Sequence, residues 1–433
     1  RATITYQMKV DQFIGPPSAE DAINEGDTIG NNAVISGTVL VDRITTGGMV
    51  TDGDSTSVTI PVSSVDIQLL TVDGTDVSQQ PAVELRPGDV VTFQLSYDLM
   101  TGDYQSFNLS AYLPLPLFDV AGITWVQGAN GVDPGVNQWS YGPGHTLDDT
   151  VGSVVGVVDG NYIIFDFGDH STLSENGSRV ELRFTMVVGD QPFGDQRKVT
   201  VIAQSNQVTT INEDPITSQD AVVVDSIAEP VLNISHGVVS SSSPDASITG
   251  TTGTWAPPGD NGTPFTAPVT DITNVNGDVA NIDGGDLLRM ATAIGNSGGG
   301  GAFGATTRIA PPPGLAFANG DLASSLRIYR GDGTLMVAGT DYSVTGNVVT
   351  FLDPVEAQAS LPAGRPGSAA DASGANLIVL LYDVKVEDAI AASSTLQSAG
   401  VLTRYAAVKG GADFVPHGAD IGENEANQAG GQL

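Results

Sequence analysis

Two stretches of this 433-residue chain follow one plan, and any fold proposed for it must accommodate that plan twice. The first runs from Pro87-Gly88-Asp89 to Phe118 and the second from Gly284-Gly285-Asp286 to Phe317. In the first, a Gly-Asp turn opens the alternating run Val91, Phe93, Leu95, Tyr97, and a short polar gap leads to Leu113-Pro114-Leu115-Pro116-Leu117. In the second, Gly285-Asp286 leads across nearly the same gap to Ala310-Pro311-Pro312-Pro313-Gly314-Leu315. Repeats of this size are modules of a tandem array, so they speak to architecture and say little about any partner.

A second signal recurs three times. Ala2, Ile4, Tyr6, Met8 and Val10 alternate with polar residues, as do Val180, Leu182, Phe184, Met186 and Val188, and again Ile378, Leu380, Tyr382, Val384 and Val386. Each run predicts a half-buried antiparallel strand. With three such strands but two Gly-Asp openings, residues 1–61 are expected to be the closing half of a module. Its remaining strands would be Asn32 to Val39 and Ser57 to Val62, joined by a Gly-rich turn over Thr46 to Asp54. Residues 62–228 then form a complete sandwich, with core strands opening at Val90, Ser106, Tyr162, Arg179 and Val199. A long aromatic loop over 119–160 interrupts it. Residues 229–433 form the next, with a low-complexity loop over 240–283, strands opening at Leu287, Ala302, Leu326, Asn347, Asn376 and Val401, and an Ala, Pro and Gly-rich insertion over 354–374. Its last strand is not evident near Glu423 to Asn427. Such a chain reads as an excerpt of something longer. The alternative is that neighbouring subunits complete each other's sandwich, since an open sheet edge is a template for another strand.

Composition agrees. With 40% apolar residues there is material for real cores, while 53 Gly, 24 Pro and a lack of helix-period segments predict an all-β chain, and strands spaced near ten residues apart predict tandem β-sandwich modules with long Gly/Pro-rich loops. Fifty acidic residues against 16 basic ones give a net charge of -34, which repels phosphate backbones and anionic lipid and argues against nucleic-acid or membrane-surface partners. That surface either keeps an exposed protein solvated or captures divalent cations. Cysteine is absent, which excludes disulfides and thiolate metal sites. No apolar run approaches the roughly 18 to 20 residues of a membrane span.

The order of a Gly-Asp turn, an alternating strand, a Gly-rich spacer and a Leu-Pro or Pro-Gly-Leu segment resembles the DUF11-type repeats of large bacterial cell-surface proteins. Gly88-Asp89-Val90-Val91-Thr92-Phe93 carries the first part; Asn296-Ser297-Gly298 and Pro313-Gly314-Leu315 carry the turn and last element of the second copy. The Trp-bearing loop and the Ser240 to Asp283 loop depart from the pattern. The resemblance implies immunoglobulin-like sandwiches serving as spacers in adhesins, surface layers or extracellular fibres, with other copies of the chain or neighbouring repeats as partners, and it carries over no catalytic residue.

The residues themselves offer little chemistry. His145, His170, His236 and His417 have neither metal-ligand nor triad spacing and read as isolated loop histidines. Gly298 to Gly301 lacks a following helix and a Lys, and reads as a flexible spacer rather than a phosphate loop. Asp166 and Asp169 beside His170 are the best-placed carboxylate pair, but Asp166 falls on the outward side of its strand, so no enzyme is expected. Oxygen-rich turns that suit Ca²⁺ occur at Asn276, Asp278, Asp283 and Asp286, and at Asp66, Asp73 and Asp76. Trp125, Trp139 and Tyr141 could present a stacking face to surface glycans, or plug their own loop onto the sandwich.

Overall fold

The computed structural model describes residues 3–8, 25–60, 62–99, 102–114, 117–119, 125–129, 131–141, 155–159, 161–172, 178–208, 215–224, 226–249, 269, 271–275, 277–355, 374–415 and 428–432. By its contacts the chain forms two compact units, one of residues 1–81, 90–187 and 200–223, the other of residues 82–89, 188–199 and 224–433. Among the described residues every regular element is a strand except the single 3₁₀ turn Ile272–Val275.

The first unit begins with β1 (Thr28–Leu40) and β2 (Thr46–Thr59), a two-stranded antiparallel ribbon in which Thr28 faces Thr59 and Thr38 faces Met49. Then come β3 (Val65–Val72), β4 (Thr75–Asp76), β5 (Glu84–Leu85), which belongs to the second unit, β6 (Val90–Leu99), β7 (Gly102–Tyr112), β8 (Phe118–Asp119), β9 (Val126–Gln127) and β10 (Gln138–Tyr141). They are followed by β11 (Val155–Asp159), β12 (Tyr162–Thr172), β13 (Ser178–Val188), β14 (Val199–Val208) and β15 (Pro215–Val224). One sheet runs β4-β3-β6-β13-β10-β9, with β8 also on β13, and the other runs β11-β12-β7-β14-β15. Alternation aims Phe93, Leu95, Tyr97, Leu182 and Phe184 of the first sheet and Phe107, Leu109, Phe165 and Val201 of the second into buried positions. Phe93 lies edge-on to Phe118 at 5.7 Å and stacked with Phe184 at 5.6 Å, so the middle of this sandwich is aromatic.

The second unit holds β5 paired in parallel with β16 (Ser226–Ile227), then β17 (Leu232–Ser241), β18 (Ser247–Thr249), β19 (Asp278–Ala280), β20 (Leu287–Asn296), β21 (Phe303–Ala310) and β22 (Leu315–Phe317). It continues with β23 (Arg327–Arg330), β24 (Tyr342–Thr345), β25 (Val348–Phe351), β26 (Leu377–Val386), β27 (Gln397–Ala406) and β28 (Gln428–Gln432). Its sheets run β17-β20-β26-β22, with β23 also on β26, and β24-β25-β21-β27-β28. Strand for strand this is the first sandwich again, with β17 in the place of β3, β20 of β6, β26 of β13 and β27 of β14.

The likeness reaches single hydrogen bonds. At the first opening the Asp89 N–H donates to Arg86 O, the Arg86 N–H to Asp89 Oδ2 (2.7 Å), the Gly88 N–H to Val188 O, and the Val188 N–H to Asp89 O. At the second, Asp286 N–H donates to Asp283 O, Asp283 N–H to Asp286 Oδ2 (2.7 Å), Gly285 N–H to Val386 O, and Val386 N–H to Asp286 O. Gly88 and Gly285 sit at φ 91° and 96°, the left-handed region that this turn demands at its third residue. Both entry strands also carry a one-residue bulge at the same point, between Leu69 and Thr71 against β6 and between Val238 and Ser240 against β20.

Three local expectations fail. Residues 3–8, the described part of the strand expected over 1–13, form no strand. The Gly-rich segment Thr46 to Asp54 lies within β2, and the ribbon turns instead at 41–45, where the Asp42 carboxylate accepts Ile44 N–H, Thr45 N–H and the Thr45 hydroxyl. An Asx turn outcompetes glycine here, and Gly47 serves close approach, since a Cβ there would meet Val41 Cγ2 at 2.8 Å. The closing strand of the second sandwich is present as β28, pairing with β27 where β15 pairs with β14. Its Gln-Ala-Gly-Gly-Gln sequence has almost no β-propensity, and pairing alone makes it a strand.

Candidate functional site

The first unit places a buried carboxylate beneath the ribbon. Glu25 is 3% exposed and accepts five hydrogen bonds. Ser63 gives its hydroxyl to Oε1 at 2.6 Å and its N–H to Oε2 at 3.1 Å; Tyr104 donates to Oε1 at 3.2 Å; Tyr97 and the Gln207 amide each donate to Oε2 at 3.0 Å. These donors come from β6, β7, β14 and the segment before β3, so the carboxylate ties the turn that leads into the ribbon to both sheets of the sandwich. Burial, reinforced by the Glu25 charge, pushes the Tyr97 phenol far above its ordinary value, which keeps it a donor. Directly after Glu25, Gly26 N–H donates to Ile60 O and Ile60 N–H to Asp27 O, closing the ribbon's base. Beyond that base the ribbon is exposed on both faces, with Val34 and Ile35 at 72% and Met49 at 74%.

The second unit has a polar island at a different level. His236 on β17 is fully buried, its Nδ1 2.8 Å from Thr292 Oγ1 on β20 and its Nε2 3.0 Å from Ser398 Oγ on β27, with the Tyr382 ring stacked at 6.3 Å. Gly400 leaves the room, since a Cβ there would lie 3.2 Å from His236 Nδ1. Burial pushes the imidazole down to about 4, so the ring is neutral at physiological pH. The expectation of an isolated loop histidine is therefore wrong for His236. Extending the period-two pattern of Leu232 and Ile234 by one step would have placed it inward.

Register shows what this island replaces. Ile67 faces Leu95 as His236 faces Thr292, and Phe184 lies where Tyr382 does. Leu113 N–H donates to Asn161 O as Ile309 N–H does to Asn347 O, which aligns β7 with β21 and, through Tyr112 facing Ile202 and Arg308 facing Val401, sets Val199 against Ser398 and Val201 against Gly400. An all-apolar set in the first copy, Ile67, Leu95, Phe184, Val199 and Val201, thus becomes His, Thr, Tyr, Ser and Gly in the second. Neither cluster is catalytic in form. His236 has no carboxylate partner among its hydrogen bonds and is sealed from solvent.

The residues anticipated as sites are placed as follows. Trp139 (6% exposed) and Tyr141 (0%) lie in β10 as core residues packed edge-on at 5.6 Å, and Trp125 is half-buried with its ring edge-on to Phe165 at 5.0 Å. The Trp139 and Tyr141 rings are thus turned into the core of the sandwich. Asp73 and Gly74, at φ 49° and 76°, turn the chain from β3 to β4, and Asp73 Oδ1 accepts Val90 N–H. Asp76 accepts Ser78 N–H, which holds its carboxyl below the ordinary value, and Asp66 is exposed opposite Ser96. Asp278 and Asp283 are exposed, Asp286 caps the Gly-Asp turn, and Asn276 lies outside the described residues. Among the described residues no three His, Asp or Glu side chains gather into a metal set. Asp166 and Asp169 are exposed and accept Gly168 N–H and Ser106 N–H; the His170 side chain, His145 and His417 lie outside the described residues.

The Gly298 to Gly301 run is also not a spacer. Gly298 and Gly300 are buried against the backbone of Ala228 to Val231, where a Cβ on Gly298 would sit 2.2 Å from Glu229 O. Glu229 in turn accepts Phe193 N–H and Gly194 N–H, and Asp195 Oδ1 accepts Glu229 N–H and Gly299 N–H.

No protein-family model and no curated protein matches the chain. Among solved structures it is similar to BcpA, the major pilin subunit of Bacillus cereus, at 12% identity and TM-score 0.28, covering 74% of each chain. It is similar also to a 35 kDa C-terminal fragment of the major pilin GBS80 of Streptococcus agalactiae, at 8% identity and TM-score 0.26, over 86% of this chain and 91% of that one. The full-length major pilin SpaD of Corynebacterium diphtheriae gives 9% identity and TM-score 0.26 over 95% and 88%. Scores this low carry no argument about function, and the architecture here rests on the strand pairing itself. Among the described residues no helix is long and apolar enough to cross a membrane.

Proposed function

We propose that the chain is a structural segment of an extracellular bacterial surface protein, a stalk, fibre or surface-layer component. The observation that carries this reading is the recurrence of one sandwich, with the same strand order, the same bulge and the same four hydrogen bonds at its opening turn. A scaffold repeated at that level while its core chemistry differs points to a role carried by shape. The buried polar groups point the same way, because Glu25 and His236 are each consumed by internal hydrogen bonds. A charge of -34 suits a long solvated surface, and a chain without cysteine needs no oxidative folding. The test is protease shaving of intact cells of the source organism, followed by mass spectrometry and by negative-stain imaging of the shed material. Peptides of this chain released from intact cells, and elongated particles that bear its epitope, are expected. Confinement of the chain to the cytosolic fraction would refute the reading.

A further inference from the structure

Sheet edges invite other strands, and this chain guards some of its own. On β3, Ser218 Oγ accepts Val65 N–H at 3.2 Å and Asp220 Oδ2 accepts Ile67 N–H at 2.9 Å, so side chains of β15 cap the edge. On β17, Gly277 O accepts Val238 N–H at 2.8 Å. The ribbon differs, since β1 and β2 pair with each other and with no other strand among the described residues.

Its two outer edges are not equivalent. β1 contains no Asp, Glu, Lys, Arg or Pro in 13 residues, while β2 carries Asp52 and Asp54. Natural edges are blunted with charge or proline, and β1 has neither. A second copy of a chain charged at -34 is repelled almost everywhere, but two β1 strands can meet without opposing any like charges, whereas two β2 strands would bring four carboxylates together. At about 3.3 Å per residue, β1 offers an edge of about 43 Å.

We infer that β1 is the contact by which two copies of this chain associate, β1 lying antiparallel to β1 of the second copy about its midpoint, Val34, to close a four-stranded sheet. This rests on the structural role proposed above and names its partner. A two-fold antiparallel pairing places each residue opposite its symmetry counterpart about that midpoint, so Val34 faces Val34 of the second copy.

The chain's lack of cysteine makes the test clean. The full chain is examined by sedimentation equilibrium, and Val34→Cys and Ser57→Cys variants are exposed to mild oxidant and run on non-reducing gels. A concentration-dependent dimer is expected, with Val34→Cys cross-linking in proportion to it and Ser57→Cys, on the β2 edge, staying monomeric. Ile35→Lys, at a 72% exposed position, should weaken the dimer by about 100-fold or more, with a melting curve unchanged at concentrations where wild type is monomeric. A monomer at all concentrations, equal cross-linking of Ser57→Cys, or a dimer indifferent to Ile35→Lys each overturns the inference. Surface-exposed particles without β1-dependent association would sink this contact and leave the structural role standing. Absence from the surface would sink the role, while the dimer in solution would still be read on its own terms.

Discussion

Replacing the polar island of the second sandwich by the first sandwich's own residues, His236→Ile, Thr292→Leu and Ser398→Val, should abolish a specific acid sensitivity. Burial holds the His236 ring neutral down to about pH 4, against an ordinary value of 6.5. Below pH 6.5 the unfolded chain therefore binds a proton that the folded chain refuses, and stability present above that pH is lost as the pH falls. Each unit of pH costs about 1.4 kcal/mol, so between pH 7 and 5 the second unit should lose about 2 kcal/mol. For a unit of this size that is about 4 to 8 °C in melting temperature. Glu229 in the same unit works in the opposite sense. Burial raises its carboxyl, so its contribution is present below the ordinary carboxylate value and is lost as the pH rises through the raised one. Comparing wild type with the triple variant isolates the histidine. The assay is calorimetry at pH 7, 6 and 5, following the transition that the substitutions move. The single change His236→Ile would take the imidazole away from the Thr292 and Ser398 hydroxyls, at a cost of about 1 to 3 kcal/mol each, which is why the partners change with it. If the triple variant loses as much stability between pH 7 and 5 as wild type, the account of His236 as a buried neutral ring is wrong.

Other outcomes are as definite. Glu25→Ala leaves Tyr97, Tyr104 and Gln207 without their shared acceptor; it should destabilise the first unit by about 2 to 4 kcal/mol and speed amide exchange at Gly26 and Ile60, whereas equal exchange would unseat Glu25 as the ribbon's root. Asp89→Ala and Asp286→Ala should each cost about 1 kcal/mol and by similar amounts, since the two carboxylates hold the same amide, and chemical denaturation of each variant tests it. Gly298→Ala should cost more than about 3 kcal/mol because its Cβ would strike Glu229 O, while Gly339→Ala, at φ 83° with nothing within 4 Å, should cost about 1 kcal/mol; near-equal melts would contradict the close packing.

What could be read in advance was whatever local alternation and turn chemistry determine. The core strands opening at Val90, Arg179, Leu287 and Asn376 were legible because apolar residues recur every second position and Gly-Asp marks the entry. The misreadings share a cause. Gly298 to Gly300 looked like slack, but glycine serves close backbone approach as readily as freedom, and only the neighbour at Glu229 decides between them. An acidic turn that caps an amide and one that ligates Ca²⁺ use the same residues in sequence; Asp73, Asp76 and Asp286 each accept a backbone N–H. Glu25 was invisible altogether, because its five donors lie between 38 and 182 positions away along the chain.

Neighbouring modules with one topology face a hazard that this chain's two cores answer. Equal turns and equal registers would allow β20 to enter the first sandwich or β6 the second, the domain-swapped misfolding to which tandem repeats are prone. The polar islands penalise both exchanges. β20 in the first sandwich would set Thr292 beside Ile67, stranding its hydroxyl, and would put Ile294 where Tyr97 donates to Glu25. β6 in the second would bring Leu95 against His236 and remove an oxygen within hydrogen-bond reach of that ring. Each error leaves buried polar groups unpaired, at about 1 to 3 kcal/mol apiece. The triple variant that removes the acid sensitivity should therefore also misfold more often. In single-molecule pulling of the full chain through repeated cycles, it should return more extensions equal to a merged, swapped unit than wild type does. If the misfolded fraction is the same in both, the two islands are only alternative ways of filling a core.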